Sequence, residues 1–187
     1  MSGVMEFEFK CDAMELALTV GTHTLRLSPA DPEWCKALQH ALNDSFTAHC
    51  EFLPWAKPYT TEDEARSFLA RAVEEFKSET GERRLFIVDD AAHAIIGCIG
   101  LKPHRRNRYV VGYWVNTEYS GKGYMRTALE ALIKNMPGFT FYLTIASANV
   151  ASQRLAEAAG FGLIRRCYQR PCLQPHEAQD TYLYRLK

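Results

Sequence analysis

The chain predicts an α/β domain of three layers around a mixed sheet, and three observations carry that reading. Strand-like runs, alternating or rich in β-branched and aromatic residues, recur at 23–28, 85–88, 94–100, 109–115, 141–145, 163–168 and 181–186. Four stripes of apolar residues at helical spacing stand between them. No Gly/Ser/Pro-rich linker divides the 187 residues, a length sufficient for one domain with a sizeable core. The order β-α-α-β-β-β-α-β-α-β-β places helices against a sheet that is mostly antiparallel, because several strands follow one another without a helix between them.

Residues 1–22 read as an N-terminal extension able to form strands, with Glu6–Lys10 and Met14–Val20 as the alternating runs, and 23–187 as the domain. Leu25 and Leu27 share one face of the first firm strand. Asp31-Pro32 is a helix-start signal, and Trp34, Leu38, Ala41, Leu42 and Ser45 then mark a helix over 32–47. Cys50 to Pro58 is irregular and dense in aromatics, which by residue type reads as a loop covering the core. Thr61-Glu-Asp-Glu64 is a capping box opening a second amphipathic helix that ends near Thr80-Gly81. The next three strands are joined by residues 89–93 and by Lys102–Arg108, both short enough for hairpins. Lys102, Arg105, Arg106 and Arg108, with His104, form the one basic cluster, read either as a solvated hairpin tip or as a docking patch for an acidic or RNA-bearing partner.

The chain is organised around residues 108–136. A strand of Tyr109, Val110, Val111, Tyr113, Trp114 and Val115 leads through polar 116–120 into Gly121-Lys122-Gly123. A helix follows, with Met125, Ala128, Leu129, Leu132, Ile133 and Met136 on one face. The first N–H groups of that helix lack intrahelical partners and carry the positive end of its dipole, so a pyrophosphate can be held there mainly by backbone. The loop predicts a phosphate-bearing cofactor; the alternative is a tight β–α connection that happens to carry two glycines. A Walker A loop is excluded because Gly123, not Ser or Thr, follows Lys122, and a dinucleotide fingerprint because Arg126 stands where glycine is required.

Ser120-Gly121-Lys122-Gly123-Tyr124-Met125 resembles the acetyl-CoA loop of the GNAT acetyltransferases, (Q/R)-x-x-G-x-(G/A), with Ser120 and Met125 departing from it at the two ends. Asn149-Val-Ala-Ser152-Gln-Arg-Leu155-Ala-Glu-Ala-Ala-Gly160-Phe161 is similar to the family's N-x-x-S-x-x-L-x-x-x-x-G-F segment, in the same order and at the same separation. GYWVNTEYSGKGY resembles the ribosomal-protein N-terminal acetyltransferase branch, the RimJ/RimL type. The resemblance implies a GNAT fold, acetyl-CoA as cofactor, and contacts to it from Trp114, Val115, Ser120, Gly121, Lys122, Gly123, Tyr124, Met125, Arg126, Asn149 and Ser152. It also implies that the strands at 109–115 and 141–145 splay apart around the pantetheine arm, that backbone N–H at 114–115 faces the developing oxyanion, and that Ser152 acts as general acid to the departing thiolate. Read by residue type alone, Asn149 is a helix cap, Ser152 a surface serine and Gly160 a left-handed terminator.

One departure bears on the acceptor. The branch often carries Glu in its A-E-I-G-Y-W strand and again in G-F-x-x-E-G, where Val110 and Ile164 stand here, leaving Glu51, His104, Glu118 and His176 as unranked bases, a water chain, or no dedicated base. An α-amine of pKa about 7.7–8.0 costs a few tenths of a kcal/mol to deprotonate near pH 7.5, a lysine of about 10.4 on the order of 4 kcal/mol. The expected acceptor is therefore the N-terminal α-amine of a protein or peptide, with a small-molecule amine or antibiotic, or a non-catalytic acyl-CoA-binding role, as alternatives.

Composition narrows the partners. Lys+Arg and Asp+Glu are both 22, no run approaches 18 apolar residues and no basic n-region precedes an apolar core, so neither export nor a membrane is expected. The six cysteines, Cys11, Cys35, Cys50, Cys98, Cys167 and Cys172, show neither metal-ligand spacing nor a disulfide framework, as for reduced thiols in the cytoplasm. No metal and no direct DNA contact is expected; a ribosome-borne acceptor and a monomer or homodimer are. Residues 50–59 and 169–180, the latter holding Pro171, Cys172, Pro175 and His176, are placed near the acceptor by the resemblance.

Overall fold

The structure is a computed structural model and describes residues 14–105, 107–170 and 179–186. Eight strands form one sheet in the order β1-β2-β3-β4-β5-β6-β8-β7: β1 Leu16–Val20, β2 His23–Pro29, β3 Arg83–Asp89, β4 Ala94–Arg105, β5 Arg108–Val115, β6 Thr140–Ala146, β7 Phe161–Arg170 and β8 Gln179–Leu186. Every pairing is antiparallel except β5 with β6. The helices are α1 Cys35–Asp44, α2 Phe46–His49, α3 Glu62–Lys77, α4 Tyr124–Lys134 and α5 Val150–Ala158. The Glu6–Lys10 run, Arg106 and the segment holding Pro171, Cys172, Pro175 and His176 lie outside the described residues.

Strand alternation divides the core into two layers. Leu85 and Ile87 of β3 join Met125, Ala128, Leu129 and Leu132 of α4 on one face, whereas Phe86 and Val88 join Leu38 of α1 and Leu69 of α3 on the other. With both faces covered, β3 and β4 read as nearly continuous buried runs. Gly97 of β4 lets α4 close onto the sheet: a Cβ there would stand 2.5 Å from the Trp114 carbonyl oxygen and 3.0 Å from Met125 Cε.

The predicted helix over 32–47 is broken. Pro32–Trp34 is a 3-10 turn capped by Asp31, α1 follows, and at Ser45 the chain bends into α2. Ser45 is fully buried, and its hydroxyl accepts the Thr117 N–H at 3.0 Å. A serine whose side chain serves another segment's backbone redirects the chain there and aims α2 at the end of β5. The capping box at Thr61 and Glu64 forms as expected, with both reciprocal hydrogen bonds. Helix α3 stops at Lys77 rather than near Gly81.

The Lys102–Arg108 connection is much tighter than a seven-residue loop. Lys102 pairs with Val110, Pro103 with Tyr109 and Arg105 with Arg108, and Asn107 stands at φ +58°. Tyr109, buried on Phe139 and Phe141, anchors the extended hairpin. Lys102, His104, Arg105 and Arg108 are exposed along its end.

Candidate functional site

The sheet opens at its middle. β5 pairs with β6 only from Arg108–Thr140 to Val111–Leu143; beyond that β6 is held by β8, while β5 runs on to Val115 paired with β4 alone. The Asn116 N–H donates to Ile96 O of β4 at 2.8 Å, so by alternation the Trp114 backbone also faces β4, and the N–H and C=O of Tyr113 and Val115 face the gap.

From β5 the chain enters the 3-10 turn Thr117–Tyr119. Buried Asn116 pins that turn: its Nδ2 donates to Ile95 O at 3.2 Å and its Oδ1 accepts the Glu118 N–H at 3.1 Å. Gly121 and Gly123 follow at φ +74° and +84°, left-handed values that favour glycine, and a Cβ on either would meet nothing within 4 Å. Gly123 is the N-cap of α4, and neither a side-chain cap nor an acidic residue occupies that helix's first turn. Bare N–H groups therefore stand on open space at the positive end of a three-turn helix. The Lys122 ammonium lies 5.3 Å from the centroid of the Tyr119 ring, and Arg126 Nε donates to Glu130 at 2.7 Å.

Helix α5 forms the opposite wall. Asn149 Oδ1 accepts the Ser152 N–H at 3.0 Å, and Gln153 Nε2 donates to the carbonyls of Ala146 and Ser147 at 3.0 and 2.9 Å where β6 ends. Gly160, at φ +92°, follows the helix end as the sequence predicts. Tyr113 bridges the gap from β5: its hydroxyl donates to Ser152 O at 3.1 Å and lies 2.9 Å from Ser152 Oγ. A phenol has one hydrogen, so with that hydrogen on the carbonyl the Ser152 hydroxyl hydrogen points at the phenol oxygen. Burial pushes the Tyr113 phenol up to about 12, the Ser152 hydrogen bond opposing, so it keeps its proton at neutral pH.

These walls enclose a cleft of ≈ 560 Å³. Trp114, Val115, Ser120, Gly121, Gly123, Tyr124, Met125, Arg126, Asn149 and Ser152 all line it; Lys122 does not. Of the candidate bases, Glu51 lines the cleft, His104 lies on the β4–β5 hairpin, Glu118 is exposed outside the lining and His176 is outside the described residues. Val110 is half-buried and Ile164 is exposed.

Tyr113 and His49 are among the cleft residues that escaped the sequence reading. Tyr113 shares its strand face with Val111, and that alternation was the available signal. His49 continues the stripe of Trp34, Leu38, Ala41, Leu42 and Ser45 by one more turn. It is 7% exposed, with Nε2 2.9 Å from Val115 O and its ring edge-on to Trp55 and Trp114 at centroid distances of 5.9 and 5.6 Å. A carbonyl only accepts, so Nε2 carries the hydrogen and Nδ1 the lone pair. Nδ1 is buried and has no hydrogen-bond partner among the described residues. Burial lowers the imidazole below its ordinary value, the Val115 carbonyl opposing.

Residues 24–162 match the model of the acetyltransferase (GNAT) domain. The chain belongs to the GNAT acetyltransferase family. It is an acetyl-CoA-dependent acetyltransferase. No curated protein matches the sequence. Among solved structures, RimL, a ribosomal-protein alpha-N-acetyltransferase in complex with coenzyme A, superposes with TM-score 0.79 at 20% identity over 91% of this chain and 97% of its own. The microcin self-immunity acetyltransferase MccE, in complex with acetyl-CoA and AMP, gives 0.78 at 19% identity over 86% and 91%. A ribosomal-protein-alanine acetyltransferase from Vibrio fischeri gives 0.77 at 19% over 91% and 95%. At such identity the likeness is one of fold. Among the described residues no helix is long and apolar enough to cross a membrane.

The residues present fit the donor. A diphosphate needs N–H groups without competing carboxylates, which the start of α4 supplies, and the glycines leave room beside them. A pantetheine arm needs an unpaired strand edge, which β5 offers beyond Val111. When bound there, acetyl-CoA supplies a thioester carbonyl activated toward an amine.

Proposed function

We propose that the enzyme acetylates the α-amino group at the N-terminus of a protein or peptide, by direct transfer while donor and acceptor occupy the cleft together. The observation that carries this reading is the proton chemistry of the cleft. Glu51 is its one carboxylate among the described residues, and Val110 and Ile164 are apolar where the branch often has Glu. Such a site suits an amine that is already partly neutral near pH 7.5, as an α-amine is and a lysine is not. In this reading Ser120 to Arg126 hold the diphosphate, the open edge of β5 at 113–115 orients the pantetheine arm and Asn149 fixes the start of α5. Ser152, backed by Tyr113, returns a proton to the sulfur. The exposed Lys102, His104, Arg105 and Arg108 give an acceptor carried on a ribosome a complementary surface.

A small amine is the second reading. Trp55, 50% exposed, stands edge-on to Trp114 at 6.4 Å, an aromatic corner that suits a planar small molecule.

Acetyl-CoA binding by calorimetry, on wild type and Gly123→Glu, followed by thiol release with α-amino peptides and small amines, tests both. The glutamate adds a carboxylate beside the diphosphate and strains a left-handed residue. We expect micromolar binding by wild type, none by the variant, and turnover of an α-amino peptide. Turnover of small amines alone moves the assignment to the second reading, and absence of binding by wild type overturns both.

A further inference from the structure

We propose that His49 is the base that takes the proton from the acceptor amine; the proposal rests on the amine-acetylation reading above. Three features of position carry it. The ring is aimed by its own donor, since Nε2–H on the Val115 carbonyl at 2.9 Å fixes the tautomer and turns the lone pair of Nδ1 away from that carbonyl. That carbonyl belongs to the open edge of β5, so the imidazole stands at the strand the donor docks on. Nδ1 is also a buried acceptor without a partner among the described residues, at the wall of the cleft. A buried unsatisfied acceptor is costly in the free enzyme, and an incoming ammonium N–H, or one water ahead of it, relieves it.

Trp55 covers the imidazole edge-on, is half exposed, and sits in the irregular segment between α2 and α3. An acceptor seated against that segment displaces the indole and reaches Nδ1. Glu51, the other proton acceptor of the lining, is exposed and has no hydrogen bond or ion pair to orient it among the described residues.

The step balances as follows. The acceptor arrives as an ammonium and passes one proton to Nδ1. The nitrogen lone pair forms the C–N bond to the acetyl carbonyl carbon, and the C–S bond breaks with its pair on sulfur. The second proton leaves nitrogen and reaches sulfur through the Ser152 and Tyr113 hydroxyls. His49 returns its proton to solvent, so one proton is released per acetyl transferred.

The ionisable groups facing this cleft are Glu51, Tyr113, Tyr119, Tyr124, Arg126 and Arg154. The imidazole's own shift comes from burial, with the Val115 bond opposing, and it leaves His49 neutral near pH 7 and able to accept a proton.

His49→Gln separates the base from the hydrogen-bond donor, because a Gln amide N–H reaches about as far as Nε2–H toward Val115 but takes up no proton. On the full chain, acetyl-CoA binding is measured by calorimetry and kcat/KM with an α-amino peptide from pH 6 to 9.5. We expect His49→Gln to bind acetyl-CoA as wild type does while kcat/KM near pH 7 falls about 10²–10⁴-fold. The deficit narrows at high pH, where the amine arrives already neutral. In free wild type, imidazole ¹⁵N shifts are expected to report a neutral ring protonated at Nε2. Wild-type rates in His49→Gln across the pH range, or a ring protonated at Nδ1, overturn the proposal; the nitrogen shifts decide it even if the variant fails to fold. A wild type that binds acetyl-CoA yet acetylates no amine instead overturns the reading beneath it.

Discussion

Tyr113 and Ser152 illustrate how one pair of side chains joins architecture to chemistry. The phenol spans the open gap and ties β5 to the first turn of α5, and its burial keeps it protonated. Tyr113→Phe deletes both bonds, and a cost of about 1–2 kcal/mol is expected, or roughly 2–8 °C in Tm for a chain of this size. Ser152→Ala should lower kcat, with acetyl-CoA affinity retained, if the hydroxyl returns the proton to sulfur. The double variant should then lose little more kcat than Ser152→Ala alone, because the two hydroxyls act as one unit; additive losses would sink the shared role. His49 adds a pH signature of its own. Its folded value lies below the ordinary 6.5, so in the interval beneath 6.5 the unfolded chain binds a proton that the folded chain refuses. Stability from this group is complete above pH 6.5 and is lost as pH falls toward the folded value. Urea midpoints at pH 8 and pH 5.5 should therefore separate more for wild type than for His49→Gln.

At the scale of elements, what depends on near neighbours was legible and what depends on distant ones was not. The Thr61–Glu64 capping box, the Asn149 cap and the strand–glycine–helix unit at 108–134 each close within a few residues, and each forms where the sequence places it. The break at Ser45 depends on Thr117, 72 residues away, and the aim of His49 on Val115, 66 residues away. No local pattern encodes either. The β4–β5 hairpin ran past its expected ends for the same kind of reason, since cross-strand partners and the burial of Tyr109, rather than the polar tip, set its length. Two variants exploit this difference. Thr61→Ala should cost about 1 kcal/mol of stability and leave acetyl-CoA affinity unchanged, because no residue of α3 lines the cleft. Ser45→Ala should cost about as much but also weaken acetyl-CoA binding, because it frees the turn at 117 and the helix that carries His49. Equal effects of both variants on affinity would refute that division.

Across the whole molecule the sheet is continuous except at one place. Among the described residues seven pairings hold eight strands, and the one parallel pairing, β5 with β6, holds only four residue pairs, leaving 112–115 without a strand partner on one side. A sheet that leaves backbone unpaired in its interior is weakest there, and the same unpaired edge is what a pantetheine arm can complete. Amide exchange should register this directly. Without ligand, the Tyr113 and Val115 N–H groups, which face the gap, should exchange much faster than those of the β3–β4 ladder. With acetyl-CoA at 100 times its Kd, binding stabilises the fold by about 2.7 kcal/mol, which corresponds to roughly 5–11 °C in Tm. The added protection should concentrate at 113, 115 and 120–126 and leave β1 to β3 close to their unliganded rates. Protection spread evenly over the sheet would mean that the donor acts only by global stabilisation, and the gap would lose its role as the place where the fold is completed by its substrate.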